Sequence, residues 1–349
     1  MKDALEMRIE EKQRLDSSSA YHVLKQIMEG EATQSQIGAF LVALKVIEPN
    51  EDEVTAFVKC MKDHAMQISP KIQGTLLDTC GTGGDVLKTF NISTLSALVA
   101  AGAGIPVAKH GNRSVTSHCG SADVLEQAGV KIDAEPEIVE NCITNANIGF
   151  MFAPVFHPAM KHVVIPRKEV GLRTVFNVLG PLTNPANAEG QILGVYTPEI
   201  MNLMGNTLQK TGVKRFFIVH NELGADEILP SGRNLILQYL GDTLESKVLK
   251  PEDFKMEECD KGELQVSMDK VQILKMFVKI LKDEAPIRFK NAVLMNSALA
   301  VVAGSLTDEL NEALVIARES LESGAALEKL KLMVSESTGE LDQFYKFTR

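Results

Sequence analysis

A short apolar strand that runs into a glycine-rich turn is the feature that most limits the possible folds of this chain. Residues 75–79 have the pattern of a buried strand, Gly81-Thr82-Gly83-Gly84-Asp85 follows, and a helix is predicted over Ser93 to Ala103. A second strand is predicted over Ile105 to Ala108. A strand, a helix and a strand in this order are typical of a parallel sheet covered by helices.

The same alternation continues along the chain. Residues 171–190 are dense in turn formers yet apolar between them, which predicts an ordered functional loop. The other predicted elements are helices over Ala122–Ala128 and Pro136–Ala146, strands over Gln191–Tyr196 and Arg215–His220, and helices over Ala292–Ala303 and Leu310–Leu321. The expected fold class is therefore α/β, with a mostly parallel central sheet flanked by helices.

The first 68 residues have a helical pattern instead. Apolar residues recur at one-face spacing, as in Tyr21, Leu24, Ile27 and Met28, and Pro49-Asn50 breaks the pattern between two later helices. We expect a small all-helical N-terminal domain here. A length of 349 residues is consistent with about two domains.

Charge and composition exclude several classes of protein. The net charge of −10 argues against a general electrostatic attraction to nucleic acid or to an anionic membrane. The most membrane-like stretch, from Asn91 to Ala108, is interrupted by glycines, a proline and hydroxyls, and residues 1–14 lack the apolar core of a signal peptide. We therefore expect a cytoplasmic protein, with its five scattered cysteines reduced.

Acidic residues are missing from two stretches of this acidic chain, residues 86–122 and 141–168. Lys109-His110-Gly111-Asn112-Arg113-Ser114-Val115-Thr116-Ser117 lies in the first stretch, directly after a predicted strand. Cations and hydroxyls at this position suit a phosphate or pyrophosphate ligand, because open α/β sheets bind ligands at the carboxyl ends of their strands. The glycine-rich turn can supply backbone N–H groups to the same ligand.

Two common nucleotide-binding motifs do not fit the glycine-rich turn. A dinucleotide-binding turn needs a third glycine where Val86 stands, and an acidic residue about 20 positions later. A Walker loop ends in Gly-Lys-Ser/Thr, whereas Asp85 follows Gly84. An ordinary tight turn remains open as an alternative at this point.

Two further sites are suggested by residue type. Asp226-Glu227 follows a predicted strand and offers adjacent hard carboxylates, which Mg2+ prefers beside a polyphosphate. Arg167, in the second acid-free stretch, can pair bidentately with a substrate carboxylate. Taken alone, an acidic pair or a single arginine is more often an ordinary surface feature.

Seven segments together resemble the anthranilate phosphoribosyltransferase family. They are Asp78-Thr-Cys-Gly-Thr-Gly-Gly-Asp85, Asn91-Ile-Ser-Thr94, Lys109-His-Gly-Asn-Arg-Ser114, Gly120-Ser-Ala-Asp-Val-Leu-Glu126, His157-Pro-Ala-Met160, Gly171 to Pro185, and Asp226-Glu227. They occur in family order through most of the chain, which makes the set far more specific than any one of its motifs.

The resemblance implies a set of ligand-binding residues. For 5-phosphoribosyl 1-pyrophosphate (PRPP) it implies Gly81, Gly84, Asp85, Thr89, Asn91, Ile92, Ser93, Thr94, Lys109, His110, Gly111, Asn112, Arg113, Ser114, Val115, Thr116, Ser117 and Ser121. For anthranilate it implies Gly81, Asn112 and Arg167, with His110, His157, Gly180 and Pro181 nearby. For Mg2+, with two ions expected per monomer, it implies Ser93, Asp226 and Glu227.

The implied reaction, in the tryptophan pathway, transfers the phosphoribosyl group of PRPP to the amine of anthranilate and releases pyrophosphate. Lys109 would act on the leaving group, and Asn112 and Arg167 would position the acceptor. The implied fold has a helical domain, residues 1–70 with a returning segment near 171–190, and an α/β domain, residues 71–170 and 191–349. A homodimer through the helical domain is also implied.

The chain departs from the family pattern at two points. Cys119 stands where the family often has Ser, and residues 220–225 begin His-Asn where His-Gly is more usual. Two other functions remain as alternatives: a nucleoside phosphorylase of similar architecture, and a non-catalytic nucleic-acid-binding paralogue. The intact glycine-rich turn and the Asp226-Glu227 pair favour the transferase over the phosphorylase, and the intact turn and the absence of a basic excess favour it over the paralogue.

Overall fold

The structure, a computed structural model, describes residues 1–84, 90–113, 119–264 and 269–349. Its N-terminal part is a set of helices with side-chain caps. Asp16 accepts the backbone N–H of Ser19, and Thr33 and Asn50 each begin a reciprocal capping box. Such caps satisfy the backbone N–H groups that a helix start leaves unpaired. These helices are α1 (Lys2–Ile9), α2 (Ser17–Met28), α3 (Gln34–Val46) and α4 (Glu51–Asp63).

A seven-stranded sheet forms the centre of the remaining chain, in the order β3-β2-β1-β4-β5-β6-β7. Its first five strands in this order pair in parallel, and β6 and β7 pair antiparallel. The predicted α/β class with a mostly parallel sheet is confirmed. The strands are β1 (Leu77–Gly81), β2 (Val107–Gly111), β3 (Ile148–Phe152), β4 (Gly190–Gly194), β5 (Arg215–Asn221), β6 (Asn234–Tyr239) and β7 (Leu244–Leu249).

Helices cover this sheet. The longest of them, α14, is buried around most of its circumference and packs against α5 and α15. In the described part of the chain, no helix is long and apolar enough to cross a membrane. The helices are α5 (Ile92–Gly102), α6 (Ser121–Gln127), α7 (Pro136–Ala146), α8 (Ala153–Phe156), α9 (Lys161–Val170), α10 (Phe176–Leu182), α11 (Met201–Lys210), α12 (Lys261–Leu264), α13 (Lys270–Leu281), α14 (Ile287–Ala303), α15 (Leu310–Glu322), α16 (Ala325–Glu336) and α17 (Leu341–Phe347).

Alternate residues of β5 belong to two different hydrophobic cores. Phe217 and Val219 pack with the large core that contains α14, whereas Phe216 and Ile218 pack with the core of the N-terminal helices. Side chains alternate between the two faces of a strand, so one strand joins both cores. The N-terminal core also contains Val163 of α9 and residues of α10 and α11.

The structure differs from the predicted elements in several places, and strand β1, for example, covers Leu77–Gly81 instead of 75–79. Part of the segment predicted as a loop over 171–190 is helical, as α10, with Pro181 in its last turn. Strand β2 begins at Val107, two residues later than predicted. Strand β3 and the β6–β7 hairpin were not predicted. The outer strand β7 exposes four of its six residues and therefore lacks the apolar run that indicates a strand.

Candidate functional site

The site lies where the direction of the strand order reverses. Strand β1 has β2 on one side and β4 on the other, because the chain runs from β1 outward to β2 and β3 and then crosses back to β4. A crevice forms at such a switch point, outside the carboxyl ends of the strands. Gly81 ends β1, Gly111 ends β2, and both lie at this edge of the sheet.

The start of the glycine-rich turn packs closely on β4. Gly81 pairs with Gly194, and a Cβ on Gly194 would lie 1.7 Å from the carbonyl oxygen of Asp226. Only glycine permits this approach. Gly83 and Gly84 then adopt left-handed backbone conformations, with φ of +64° and +75°, which glycine reaches without strain.

A cavity of about 450 Å³ opens beside the turn. It joins the ends of β1 and β2 to the segment that runs from α8 to α10. Of the predicted site residues, the structure brings Gly81, His110, Gly111, Asn112, His157, Arg167, Gly180 and Pro181 together on its walls. A pocket of this size suits a small aromatic or sugar-phosphate ligand.

Arg167 places its cation on the wall of this cavity. Its guanidinium carbon lies 5.6 Å from the centre of the Phe176 ring, and none of the described carboxylates forms an ion pair with it. Burial lowers the pKa of Arg167, yet an arginine keeps its charge at neutral pH. The side chain is therefore suited to bind an incoming carboxylate.

His110 and His157 form a neutral pair that also lines the cavity. Their ring centres are 5.0 Å apart, and in each ring the buried Nε2 has no hydrogen-bond partner among the described residues. Burial lowers the pKa of His110 to about 3 and that of His157 to about 4. Two uncharged rings with free nitrogens offer an aromatic ligand a flat, weakly polar surface.

Lys109 lies behind the cavity wall instead of on it. Its Nζ donates to the backbone oxygen of Thr79, lies 3.3 Å from Thr79 Oγ1, and the residue is 3 % exposed. Burial lowers the pKa of Lys109, and the nearby Asp78 carboxylate opposes this shift. Lys109, for which the resemblance implies action on the leaving group, is thus bonded to strand β1.

The acidic pair meets the glycine-rich turn and the start of α5. Asp226 Oδ2 accepts the N–H of Gly83 at 3.2 Å, and Glu227 Oε1 accepts the N–H of Ser93 at 3.1 Å. Ser93, Asp226 and Glu227, the three residues that the resemblance implies for Mg2+, border one small cavity. Enclosure by protein raises the pKa of Asp226, so a cation here would offset an unfavourable buried charge.

These donors fit Mg2+. The described residues contain no cluster of three or more His, Cys, Asp and Glu side chains suited to a metal. Mg2+ is commonly held by one or two carboxylates, waters and substrate phosphates, so the pair with the Ser93 hydroxyl matches its usual oxygen ligands.

Several predicted PRPP-binding residues have their side chains engaged by the protein. Arg113 forms ion pairs with Asp123 and Glu126. Asn91 donates to the carbonyl of Cys119, and Ser121 Oγ donates to that of Asn112 at 3.4 Å. Ile92 and Thr94 are buried. Asp85, Thr89, Ser114, Val115, Thr116 and Ser117 lie outside the described residues.

Sequence reasoning missed three residues that shape the site. Asn177 and Thr183 line the cavity of about 450 Å³. Both belong to the segment Gly171 to Pro185, in which the sequence does not single out either residue. Arg173, in the same segment, donates to the carbonyl oxygen of Gly84 and lies over the Tyr196 ring. A pattern of apolar residues between turn formers does not indicate which polar side chains face a cavity.

Two family profiles match the chain. Residues 2–65 match the glycosyl transferase family, helical bundle domain, and residues 73–327 match the glycosyl transferase family, a/b domain. Curated anthranilate phosphoribosyltransferases are similar over almost the full length. The enzyme of Pelotomaculum thermopropionicum is 43% identical over 94% of both chains, and that of Thioalkalivibrio sulfidiphilus is 45% identical over 93% of this chain and 95% of its own.

Solved structures show the same similarity. Anthranilate phosphoribosyltransferase from Thermus thermophilus has a TM-score of 0.90 and 38% identity, covering 96% of this chain and 99% of its own. The Saccharomyces cerevisiae enzyme in complex with PRPP and Mg has a TM-score of 0.87 and 26% identity, covering 96% and 97%. The yeast enzyme in complex with 4-fluoroanthranilate has a TM-score of 0.84, with the same identity and coverage.

Proposed function

Because the chain belongs to the anthranilate phosphoribosyltransferase family, we propose that it transfers the 5-phosphoribosyl group of PRPP to the amine of anthranilate. The bond from the ribose anomeric carbon to the pyrophosphate oxygen breaks, and a bond from that carbon to the amine nitrogen forms. Pyrophosphate leaves, and the nitrogen loses a proton. The reaction belongs to tryptophan biosynthesis.

One observation carries this proposal. A single cavity joins the start of the glycine-rich turn, the end of β2 and the guanidinium of Arg167. A phosphate ligand at the turn and an aromatic carboxylate at Arg167 would thus be neighbours. Bringing two reactants together in the correct orientation contributes a large part of the rate of such a reaction.

We assign the acceptor end to residues that hold a carboxylate and an aromatic ring. Arg167 pairs with the carboxylate, His110 and His157 lie against the ring, and Asn112 positions the amine near the end of β2. The amine of anthranilate is uncharged near neutral pH, so no strong base is required. The low pKa values of the two histidines match this assignment, because the rings stay neutral.

The phosphate end depends on the glycine-rich turn and the acidic pair. Phosphate oxygens would lie along the turn, where the N–H of Gly83 is bonded to Asp226 Oδ2, and Ser93, Asp226 and Glu227 would hold the metal. Bound Mg2+, for which we propose two ions per monomer, supplies positive charge that stabilises the leaving pyrophosphate. Lys109 keeps β1 in place by donating to the backbone oxygen of Thr79.

We also propose a homodimer through the N-terminal helices, and a cytoplasmic location. Neighbouring helices α3 and α9 expose large apolar side chains, among them Val42, Val46, Val164 and Ile165. Exposed apolar side chains on two helices that contact each other are consistent with an interface to another protein surface. The helical domain of residues 1–70 with the segment near 171–190, and the α/β domain of 71–170 and 191–349, remain our proposed division of the chain.

Pyrophosphate release tests the function. The protein is incubated with PRPP and Mg2+, together with anthranilate, with benzoate, which lacks the amine, or with a pyrimidine base. We expect pyrophosphate only with anthranilate and inhibition by benzoate. Release with the pyrimidine base alone would contradict the proposed acceptor. None of the relatives and structures named above is called a nucleoside phosphorylase.

A further inference from the structure

The acidic pair lies in the loop of residues 222–233, which connects β5 to β6. We propose that three buried asparagines, Asn221, Asn234 and Asn296, are positioning residues that hold this loop in its metal-binding shape before any metal binds. The inference rests on the proposed Mg2+-dependent function. In this account the positions of Asp226 and Glu227 are fixed by side chains that do not themselves contact the metal.

Asn296 holds the residue directly after the acidic pair. It lies in the middle of α14, 4 % exposed, and its Oδ1 accepts the N–H of Ile228 at 3.2 Å. Its Nδ2 donates to the carbonyl oxygen of the same residue at 2.7 Å and to Ala292 O at 2.8 Å. Both backbone polar groups of Ile228 are therefore satisfied by one carboxamide.

Asn234, the first residue of β6, forms the same two kinds of hydrogen bond with the next residue, Leu229. Its Oδ1 accepts the N–H of Leu229 at 2.8 Å, and its Nδ2 donates to Leu229 O at 3.0 Å. Two consecutive residues after the acidic pair are thus each held at both N–H and C=O. Their side chains are fully buried as well, so this part of the loop has little freedom to move.

Asn221 connects this arrangement to the end of β5. Its Nδ2 donates to Asn234 Oδ1 at 2.8 Å and to Ser231 O at 2.9 Å, and its Oδ1 accepts the N–H of Leu223 at 2.9 Å. Asn221 is the residue at which this chain departs from the usual His-Gly. The substitution gives the loop a buried carboxamide that a glycine does not have.

Asparagine is suited to this task for an electrostatic reason. A carboxamide donates and accepts at once, so it can satisfy both groups of one peptide without adding charge. An aspartate at any of these positions would add negative charge beside a carboxylate pair whose burial is already unfavourable. Outer partners of this kind orient metal ligands, and their loss typically weakens metal affinity about 10- to 100-fold.

Mn2+ binding to Asn296→Leu tests the proposal without relying on turnover. Free Mn2+ is measured by electron paramagnetic resonance in the presence of pyrophosphate. We expect Asn296→Leu to bind Mn2+ at least about tenfold more weakly than the wild type. The matched control is Ser297→Ala on the same helix, because Ser297 Oγ bonds only within the helix, to Val293 O at 2.8 Å. It should bind Mn2+ like the wild type.

Equal Mn2+ affinity in the wild type and a folded Asn296→Leu variant would overturn the positioning role. Failure of the wild type to bind Mn2+ would instead overturn the metal assignment and the inference with it. Calorimetry of anthranilate binding in the absence of metal tests the proposed function independently of these two outcomes. Anthranilate binding depends on Arg167, so its affinity should be the same in the wild type and in Asn296→Leu.

Hydrogen exchange in the wild type gives a second test that does not require a variant to fold. If the loop is held before metal binds, the N–H groups of Ile228 and Leu229 are strongly protected in metal-free protein, and Mg2+ with pyrophosphate changes them little. Rapid exchange of these two N–H groups until metal is added would contradict a preformed loop.

Discussion

Arg173 donates a hydrogen bond to the carbonyl oxygen of Gly84, and its guanidinium carbon lies 4.2 Å from the centre of the Tyr196 ring. This contact joins the connection between α9 and α10 to the glycine-rich turn. Arg167 lies on one side of that connection and Asn177 on the other. The proposed acceptor site and the proposed phosphate site are therefore linked by one side chain.

Arg173→Ala should weaken PRPP binding more than anthranilate binding. A hydrogen bond from a charged group contributes about 1.5 kcal/mol, so we expect the KM for PRPP to rise about tenfold. Initial rates with each substrate varied in turn measure the two effects. Arg173→Lys, which retains the charge, should recover part of the loss. Arg318→Ala, in α15, serves as the control, and equal increases in both KM values would argue against this role.

Replacing the acidic pair should abolish the response to metal without destabilising the fold. Asp226→Asn with Glu227→Gln removes both proposed carboxylate ligands, and we expect turnover to fall at least about 100-fold at any Mg2+ concentration. The melting temperature of the metal-free variant should not decrease, because burial disfavours the ionised form of Asp226. An unchanged Mg2+ titration curve would remove the metal assignment.

Stability should rise with pH between about pH 4 and pH 6. Burial lowers the pKa of His110 to about 3 and that of His157 to about 4, whereas histidines in the unfolded chain titrate near 6.5. In this window the unfolded chain binds protons that the folded protein does not, so each histidine adds a slope of about 1.4 kcal/mol per pH unit.

Urea unfolding of the wild type and His157→Gln over this pH range measures the effect. The variant lacks one of the two buried rings, and its free energy of unfolding should depend less steeply on pH. Identical slopes would mean that His157 is protonated equally in the folded and unfolded states, contrary to its burial.

Charge on the exposed apolar surface of α3 and α9 should prevent dimer formation. Val46 is 78% exposed and Ile165 is 54% exposed, and burying an aspartate at either position of an interface is costly. We expect Val46→Asp with Ile165→Asp to sediment as a monomer and the wild type as a dimer. Val315→Asp, at an exposed valine of α15, is the control. A monomeric wild type would contradict the proposed dimer.

The sequence predicts the parts of the site that depend on local order along the chain. The strands predicted over 75–79 and Ile105–Ala108 are followed by Gly81 and by His110-Gly111, and these residues must meet at one edge if both strands belong to a parallel sheet. The structure brings these residues, Arg167 and His157 together around one cavity. Residue type suggested Arg167 as a partner for a carboxylate, but only the resemblance linked Arg167 and His157 to the site at the strand ends.

Other features depend on the three-dimensional packing. Asn296 is far along the chain from Ile228, and nothing near it in the sequence indicates that it holds the metal-binding loop. The sequence also does not indicate which way the Lys109 side chain points. Strand β2 is buried on both faces, so its residues do not alternate between apolar and polar and the two faces cannot be distinguished. Helix α10 was missed because Gly180 and Pro181 are usually found in turns.

Anthranilate fluorescence tests the central claim most directly. The wild type and Arg167→Ala are mixed with anthranilate and PRPP, with Mg2+ present or withheld. We predict that the wild type consumes anthranilate, measured as a loss of its fluorescence, only when PRPP and Mg2+ are both present. In Arg167→Ala the KM for anthranilate should rise about 10- to 100-fold, with little change in the KM for PRPP. No loss of fluorescence in the wild type under any of these conditions would contradict the account.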